Sequence, residues 1–214
     1  QYGAGMICLP ETNTNWNQGG QVQVLHTLFK RIWRTSTLQV SQTPDQMLSN
    51  YQPGGTLTAV CDNWVSRVIA KGEDPFGLGR WSYITLRGKD SVKVTIVTAY
   101  NATPSPEDCT YYHQQLRVIS RLQREQNIHV NPDPRRQFIL DLQSWLESLA
   151  REGHKFILAM DANSVYDPDQ VNQQHPLEYR EGFLTVSPTH DGKLATLVAT
   201  CNLCLPLARQ HTTR

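Results

Sequence analysis

The sequence predicts an α/β chain in which packed β-sheets carry helices on their outer faces. Strand-like runs and hairpin signals crowd the first half. Two long amphipathic stretches then separate the best strand, 92–100, from a further one at 155–160. The length of 214 residues, with 39% hydrophobic and 18% charged, fits a single domain over 1–214 with a substantial core.

Met6-Ile7-Cys8-Leu9 reads as a short buried strand closed by Pro10 and Glu11. Val22, Leu25, Leu28, Phe29, Ile32 and Trp33 recur at helical spacing and predict an amphipathic helix over 20–34. Strands are expected at 37–42, 55–62, 65–71 and 81–87, punctuated by Gly54-Gly55, Asp62-Asn63 and Gly77-Leu78-Gly79. The run 92–100 alternates and is β-branched, and Asn101, Pro104 and Pro106 end it. Leu116, Ile119 and Leu122 stripe a helix over about 108–126. Phe138, Leu142, Trp145, Leu146 and Leu149 stripe another over about 135–152, which Gly153 stops. The strand 155–160 follows, then a polar loop over 164–182 and a helix near 191–203 that runs into Pro206.

Twenty Lys and Arg against nineteen Asp and Glu give no support to a polycation that coats nucleic acid, although a locally basic groove stays open. No apolar run approaches a membrane span, and nothing at the start resembles a secretory leader. The chain opens at Gln1 and reaches a strand within a few residues, which reads as a fragment of a longer protein. The five cysteines, at 8, 61, 109, 201 and 204, are odd in number and point to reduced thiols. An intracellular protein, nuclear or cytoplasmic, is the expectation. Cys201-Asn202-Leu203-Cys204 is a C-x-x-C with His211 downstream, but a zinc site lacks a fourth ligand and a redox motif belongs at a helix start. Buried or half-buried thiols are the preferred reading.

Three strand ends carry polar residues that a core does not demand: Glu11, Tyr100-Asn101, and the Asp161-Ala162-Asn163 that stops Phe156-Ile157-Leu158-Ala159-Met160. A strand places i and i+2 on one face, so Asp161 and Asn163 are expected to point the same way. If the strands are neighbours, all these side chains meet at one rim. A lone carboxylate such as Glu11 is a typical protein share of a Mg²⁺ site. An Asp can orient or deprotonate a water, and Asn and Tyr can donate to transition-state oxygens. The set suits phosphodiester hydrolysis. Each residue also has a plainer reading: Glu11 as a solvated loop acid, Tyr100 as a strand-end aromatic, Asp161 and Asn163 as an Asx turn.

Leu9-Pro10-Glu11-Thr12, Val97-Thr98-Ala99-Tyr100-Asn101 and Met160-Asp161-Ala162-Asn163 resemble, in order, motifs of the endonuclease/exonuclease/phosphatase superfamily, the DNase I-like enzymes. Gly79-Arg80-Trp81 and the stretch from Cys201 to Arg209 look closer to AP-like endonuclease domains of non-LTR retrotransposons. The resemblance implies a four-layer α/β sandwich: two packed mixed β-sheets flanked by helices, incomplete at both ends. It implies that Glu11 binds the metal, Mg²⁺ or Mn²⁺, and that Tyr100 contacts the scissile phosphate. It further implies that Asp161 orients or activates the water and that Asn163 binds phosphate. Asn101 adjoins the phosphate-binding motif. DNA is the implied substrate, in a parent that also carries a reverse transcriptase. The family's Asn strand upstream of the Glu motif and its closing Asp and Ser-Asp-His elements have no counterpart here; His190 and His211 stand in another context. Low activity is therefore expected of this fragment. A phosphatase of lipid or inositol phosphates on the same scaffold, and a non-catalytic remnant, stay open as alternatives.

Four further readings concern other positions. Arg80 reads as a solvated loop residue, with DNA phosphate as its second reading. Arg135-Arg136 marks a helix start near the surface. For Trp16, Trp64 and Trp81, core packing is the preferred reading for most, with a nucleic-acid surface as the alternative. The sequon Asn101-Ala102-Thr103 is taken as chance.

Overall fold

The computed structural model describes residues 5–45, 51–128 and 130–163. The expected loop at 164–182, the helix near 191–203, Cys201, Cys204, His190 and His211 lie outside the described residues.

The chain order is β1 (Met6–Pro10), α1 (Gln21–Ile32), β2 (Ser36–Ser41), β3 (Thr56–Cys61), β4 (Val68–Glu73), β5 (Trp81–Arg87), β6 (Lys93–Tyr100), α2 (Tyr111–Glu125), α3 (Pro134–Arg151) and β7 (His154–Asp161). Two 3₁₀ turns, Asp62–Arg67 and Lys89–Ser91, join β3 to β4 and β5 to β6. The strand expected at 65–71 is thus displaced. Asp62 takes a left-handed φ of 52°, and the chain coils through Arg67 before it extends.

Two sheets result. One has the order β1-β3-β2 and is antiparallel throughout the described residues. The other, β4-β5-β6-β7, is mixed, because β6 and β7 are parallel. Parallel neighbours need a long crossover, and α2 and α3 supply it. Phe29 of α1 packs with Leu38, Leu57, Ala59 and Cys61 on the outer face of the first sheet. Phe138, Leu142 and Leu146 of α3 pack on Trp81, Val97 and Ala99 on the outer face of the second. Between the sheets, Val60 meets Ile84, Leu86 and Ile96. The four layers are helix, sheet, sheet, helix.

The inter-sheet layer turns polar toward one end. The Thr58 hydroxyl donates to the Thr98 hydroxyl at 2.7 Å and lies 2.9 Å from that of Ser82; Thr56 donates to Ser82 at 3.0 Å. All four residues are fully buried. A hydroxyl cluster whose members satisfy one another fixes how the sheets face, since any other register would strand polar groups in the core.

Capping sets where the crossover helices begin. Thr110 Oγ1 accepts from the His113 amide at the start of α2. Asp133 Oδ1 accepts from the amides of Arg135 and Arg136 at 3.1 and 3.0 Å, with Pro134 in the first helical position. Among the described residues, no helix is long and apolar enough to cross a membrane.

Candidate active site

The parallel pairing of β6 and β7 sets the site. Their register places Tyr100 opposite Asp161, so both strands end at one level, and the Asn101 amide donates to the Asp161 carbonyl at 2.9 Å. Ile96, Thr98 and Tyr100 alternate toward the other sheet, while Val97 and Ala99 face α3. On β7, Phe156, Leu158 and Met160 pack on the α3 side, so Asp161 shares the face of Tyr100. Across the sandwich, β1 ends at Pro10 opposite Thr56 and delivers Glu11 to this rim.

Four of the five residues singled out in the sequence meet there. The Glu11 carboxylate, the Asn163 carboxamide and the Asp161 carboxylate all lie close enough to the Tyr100 hydroxyl to shift its ionisation. Glu11 is exposed, Asp161 and Asn163 are half-buried, and the Tyr100 ring is buried against Tyr111 at a centroid distance of 5.3 Å. Asn101, the fifth, lies beneath the rim. It is 1% exposed, and both polar atoms of its carboxamide lack a hydrogen-bond partner among the described residues. Burial also leaves the sequon at 101 no access to a glycan.

Asn163 reaches the site by a turn and not by strand alternation. Its φ is 47°, and its amide donates to Asp161 Oδ1 at 3.1 Å. Its side-chain amide folds back to donate to the Asn101 carbonyl at 2.8 Å. The Asx turn and the site are the same feature, because the turn is what aims Asn163 inward. Glu11 (φ 53°) and Asn13 (φ 50°) are likewise left-handed. Non-glycine residues in this region carry strain of order 1–3 kcal/mol each and gather at functional sites. The strained loop after β1 is held by Gly54-Gly55: the amides of Thr12 and Asn13 donate to their carbonyls at 3.1 and 2.8 Å, and the Gly54 amide donates to Asn13 Oδ1 at 2.9 Å. Gly54 is itself left-handed, and a Cβ there would come within 2.5 Å of the Tyr111 ring.

Two sequence readings are overturned here. Arg80 is not a solvated loop residue. It is 1% exposed, donating through Nε to Asp74 Oδ2 at 2.6 Å and through Nη1 to Asp141 Oδ2 at 2.7 Å. It lies over the Trp81 ring at 4.8 Å, and its carbonyl accepts from the Tyr100 amide at 3.0 Å. Arg135 does not mark a surface either. It is 9% exposed and donates to the carbonyls of Ala102 and Asn163, whereas Arg136 is exposed. A cation in the first turn of a helix opposes the helix dipole, and that was the available signal that Arg135 has another task. Trp81 is fully buried in the core; Trp16 is half-buried, its indole donating to Thr12 Oγ1 at 3.2 Å; Trp64 is 40% exposed.

Burial pushes the phenols of Tyr100 and Tyr111 up, with the Glu11 carboxylate adding to the effect at Tyr100. Tyr100 therefore stays a hydrogen-bond donor through the working pH range. Both phenols are neutral in the folded and unfolded chains below the ordinary value of 10.0. Above it the unfolded chain releases protons that the fold retains, so stability present below about pH 10 is lost as pH rises toward the folded values. Ultraviolet titration is expected to show two tyrosines still protonated at about pH 11, ionising only with unfolding. Two phenols titrating there along with the rest would contradict this burial.

Every donor at the rim is a hard oxygen or an amide, a set that suits Mg²⁺ or Mn²⁺ rather than zinc. Among the described residues there is no group of three or more His, Cys, Asp and Glu placed to hold a metal ion. A cation here would draw on Glu11, and the Asn101 carboxamide beneath the rim has no hydrogen-bond partner among the described residues. A groove on α2, lined by Arg117, Arg121, Arg124 and neighbours, shares no residue with this rim. The thiols of Cys8, Cys61 and Cys109 are free.

No family model matches the chain, and no curated protein matches it. Among solved structures, the human Nocturnin catalytic domain with bound sulfate anion is similar at 14% identity and a TM-score of 0.43. The similarity covers 76% of this chain and 52% of that one, so this chain spans about half its length.

Proposed function

We propose that this chain is an endonuclease/exonuclease/phosphatase-type, DNase I-like domain of a retroelement-type protein, and that its chemistry is divalent-metal-dependent hydrolysis of a phosphodiester in DNA. The observation that carries the reading is the meeting of Glu11, Tyr100, Asp161 and Asn163 at one rim. Three separate strands deliver them, in the order in which the sequence motifs run.

Asp161 orients a water and accepts its proton as the water attacks phosphorus. Asn163 donates from its carboxamide to a phosphate oxygen. The Tyr100 hydroxyl, beside Glu11, donates to a second one. The bond from phosphorus to the leaving sugar oxygen breaks, and that oxygen takes a proton from solvent. Glu11 would hold Mg²⁺ or Mn²⁺, whose charge would offset that developing on the phosphate. An intracellular site of action and a reverse transcriptase in the same parent belong to the same reading.

The test is plasmid nicking by the full chain with Mg²⁺ and with EDTA. A nick that needs the cation is expected, and Glu11→Gln is expected to raise the required concentration by about tenfold or more. Equal nicking in EDTA, or none at any Mg²⁺ or Mn²⁺ concentration, sinks the reading; a DNA mobility shift without a nick would support a binding remnant instead.

A further inference from the structure

We infer that Arg135 is a positioning residue that locks together the loops following β6 and β7; its role in turnover rests on the hydrolase reading above. Its Nη1 donates to the Ala102 carbonyl at 2.7 Å and its Nη2 to the Asn163 carbonyl at 3.0 Å. One planar cation thus bridges the residue that follows Tyr100-Asn101 and the residue that ends Asp161-Ala162-Asn163. The Asn163 side chain closes the same junction from its other side, through the Asn101 carbonyl at 2.8 Å.

The location is costly for a cation. Arg135 is 9% exposed and sits in the first turn of α3, where the helix dipole disfavours positive charge. Its rigid fork donates to two carbonyls at once, which an ammonium on a flexible stem cannot reproduce. The clamp therefore fixes the angle between Tyr100 and Asn163 without touching a substrate.

The experiment compares Arg135→Ala, Arg135→Lys and, as a control in the same helical turn, Arg136→Ala in the full chain. Amide hydrogen exchange is expected to quicken about tenfold or more at 100–103 and 161–163 in Arg135→Ala, with α1 and β3 unchanged. In Mg²⁺-dependent cleavage of a duplex oligonucleotide, kcat is expected to fall about a hundredfold in Arg135→Ala and about tenfold in Arg135→Lys, with KM held within about threefold. Added guanidinium ion is expected to restore part of the Arg135→Ala rate, and Arg136→Ala to match the wild type. Unchanged exchange at the two loops, or an increase spread evenly over the chain, overturns the clamp. So does an unchanged kcat in Arg135→Ala. If the wild-type chain does not cleave, the hydrolase reading falls and the exchange pattern alone decides the clamp.

Discussion

Asp74→Ala is expected to destabilise the fold by about 3–5 kcal/mol, because it strands a guanidinium in the core. Arg80 is 1% exposed and Asp74 3%, and Asp74 accepts from its guanidinium at 2.6 and 3.2 Å and from its amide at 3.3 Å. Asp141 holds only the Nη1 corner and is itself shared with Gln137. The loss spreads along the backbone. Asp74 Oδ1 also accepts from the Phe76 amide at 2.9 Å, and the Arg80 carbonyl receives the Tyr100 amide. Urea unfolding followed by tryptophan fluorescence measures the effect, since Trp81 lies under the guanidinium. The double variant Arg80→Met/Asp74→Leu separates an unpaired charge from lost packing. It is expected to recover a large part of the loss, because an apolar pair leaves no buried charge uncompensated. An Asp74→Ala variant within about 1 kcal/mol of the wild type would mean that water reaches Arg80.

The layers were legible because periodicity reports burial. Phe138, Leu142 and Leu146 recur at helical spacing and do form the face of α3 that meets the second sheet. Strand ends were legible where an apolar run stops at a polar residue, as at Glu11, Tyr100 and Asp161. The parallel register that levels Tyr100 with Asp161 was not, because two helices and their loops intervene and no local pattern encodes that pairing. Arginine was misread twice for one reason: composition treats a charge as solvated, and only tertiary partners reveal otherwise. Arg80 finds its second carboxylate in Asp141, sixty-one residues away. The 62–67 coil was missed because Val65 looks like a strand residue, while the left-handed φ of Asp62 decides the path.

On the proposed hydrolase reading, Asp161→Asn is expected to lower kcat by about 10²–10⁴, the range for removing a positioned base, with the fold intact. Asparagine keeps an oxygen to accept the Asn163 amide, so the turn at φ 47° survives while the proton acceptor is lost. Tyr100→Phe is expected to cost about 10²–10³, as for one donor to a transition-state oxygen. Phenylalanine preserves the ring against Tyr111 and removes only the hydroxyl that lies beside Glu11 and Asn163. The informative quantity is the double variant. If the two groups acted on separate steps, their costs would multiply. They meet in one cluster, and Asn163 is bonded to Asp161 and neighbours Tyr100, so the geometry that each needs depends on the other. Groups that act as a unit are strongly non-additive. The double variant is therefore expected to lie within about tenfold of Asp161→Asn alone. Cleavage kinetics on one duplex substrate at saturating Mg²⁺ measure all four corners of the cycle. A fully multiplicative loss would show that Tyr100 works apart from the Asp161 turn, and the rim would then be two sites side by side rather than one.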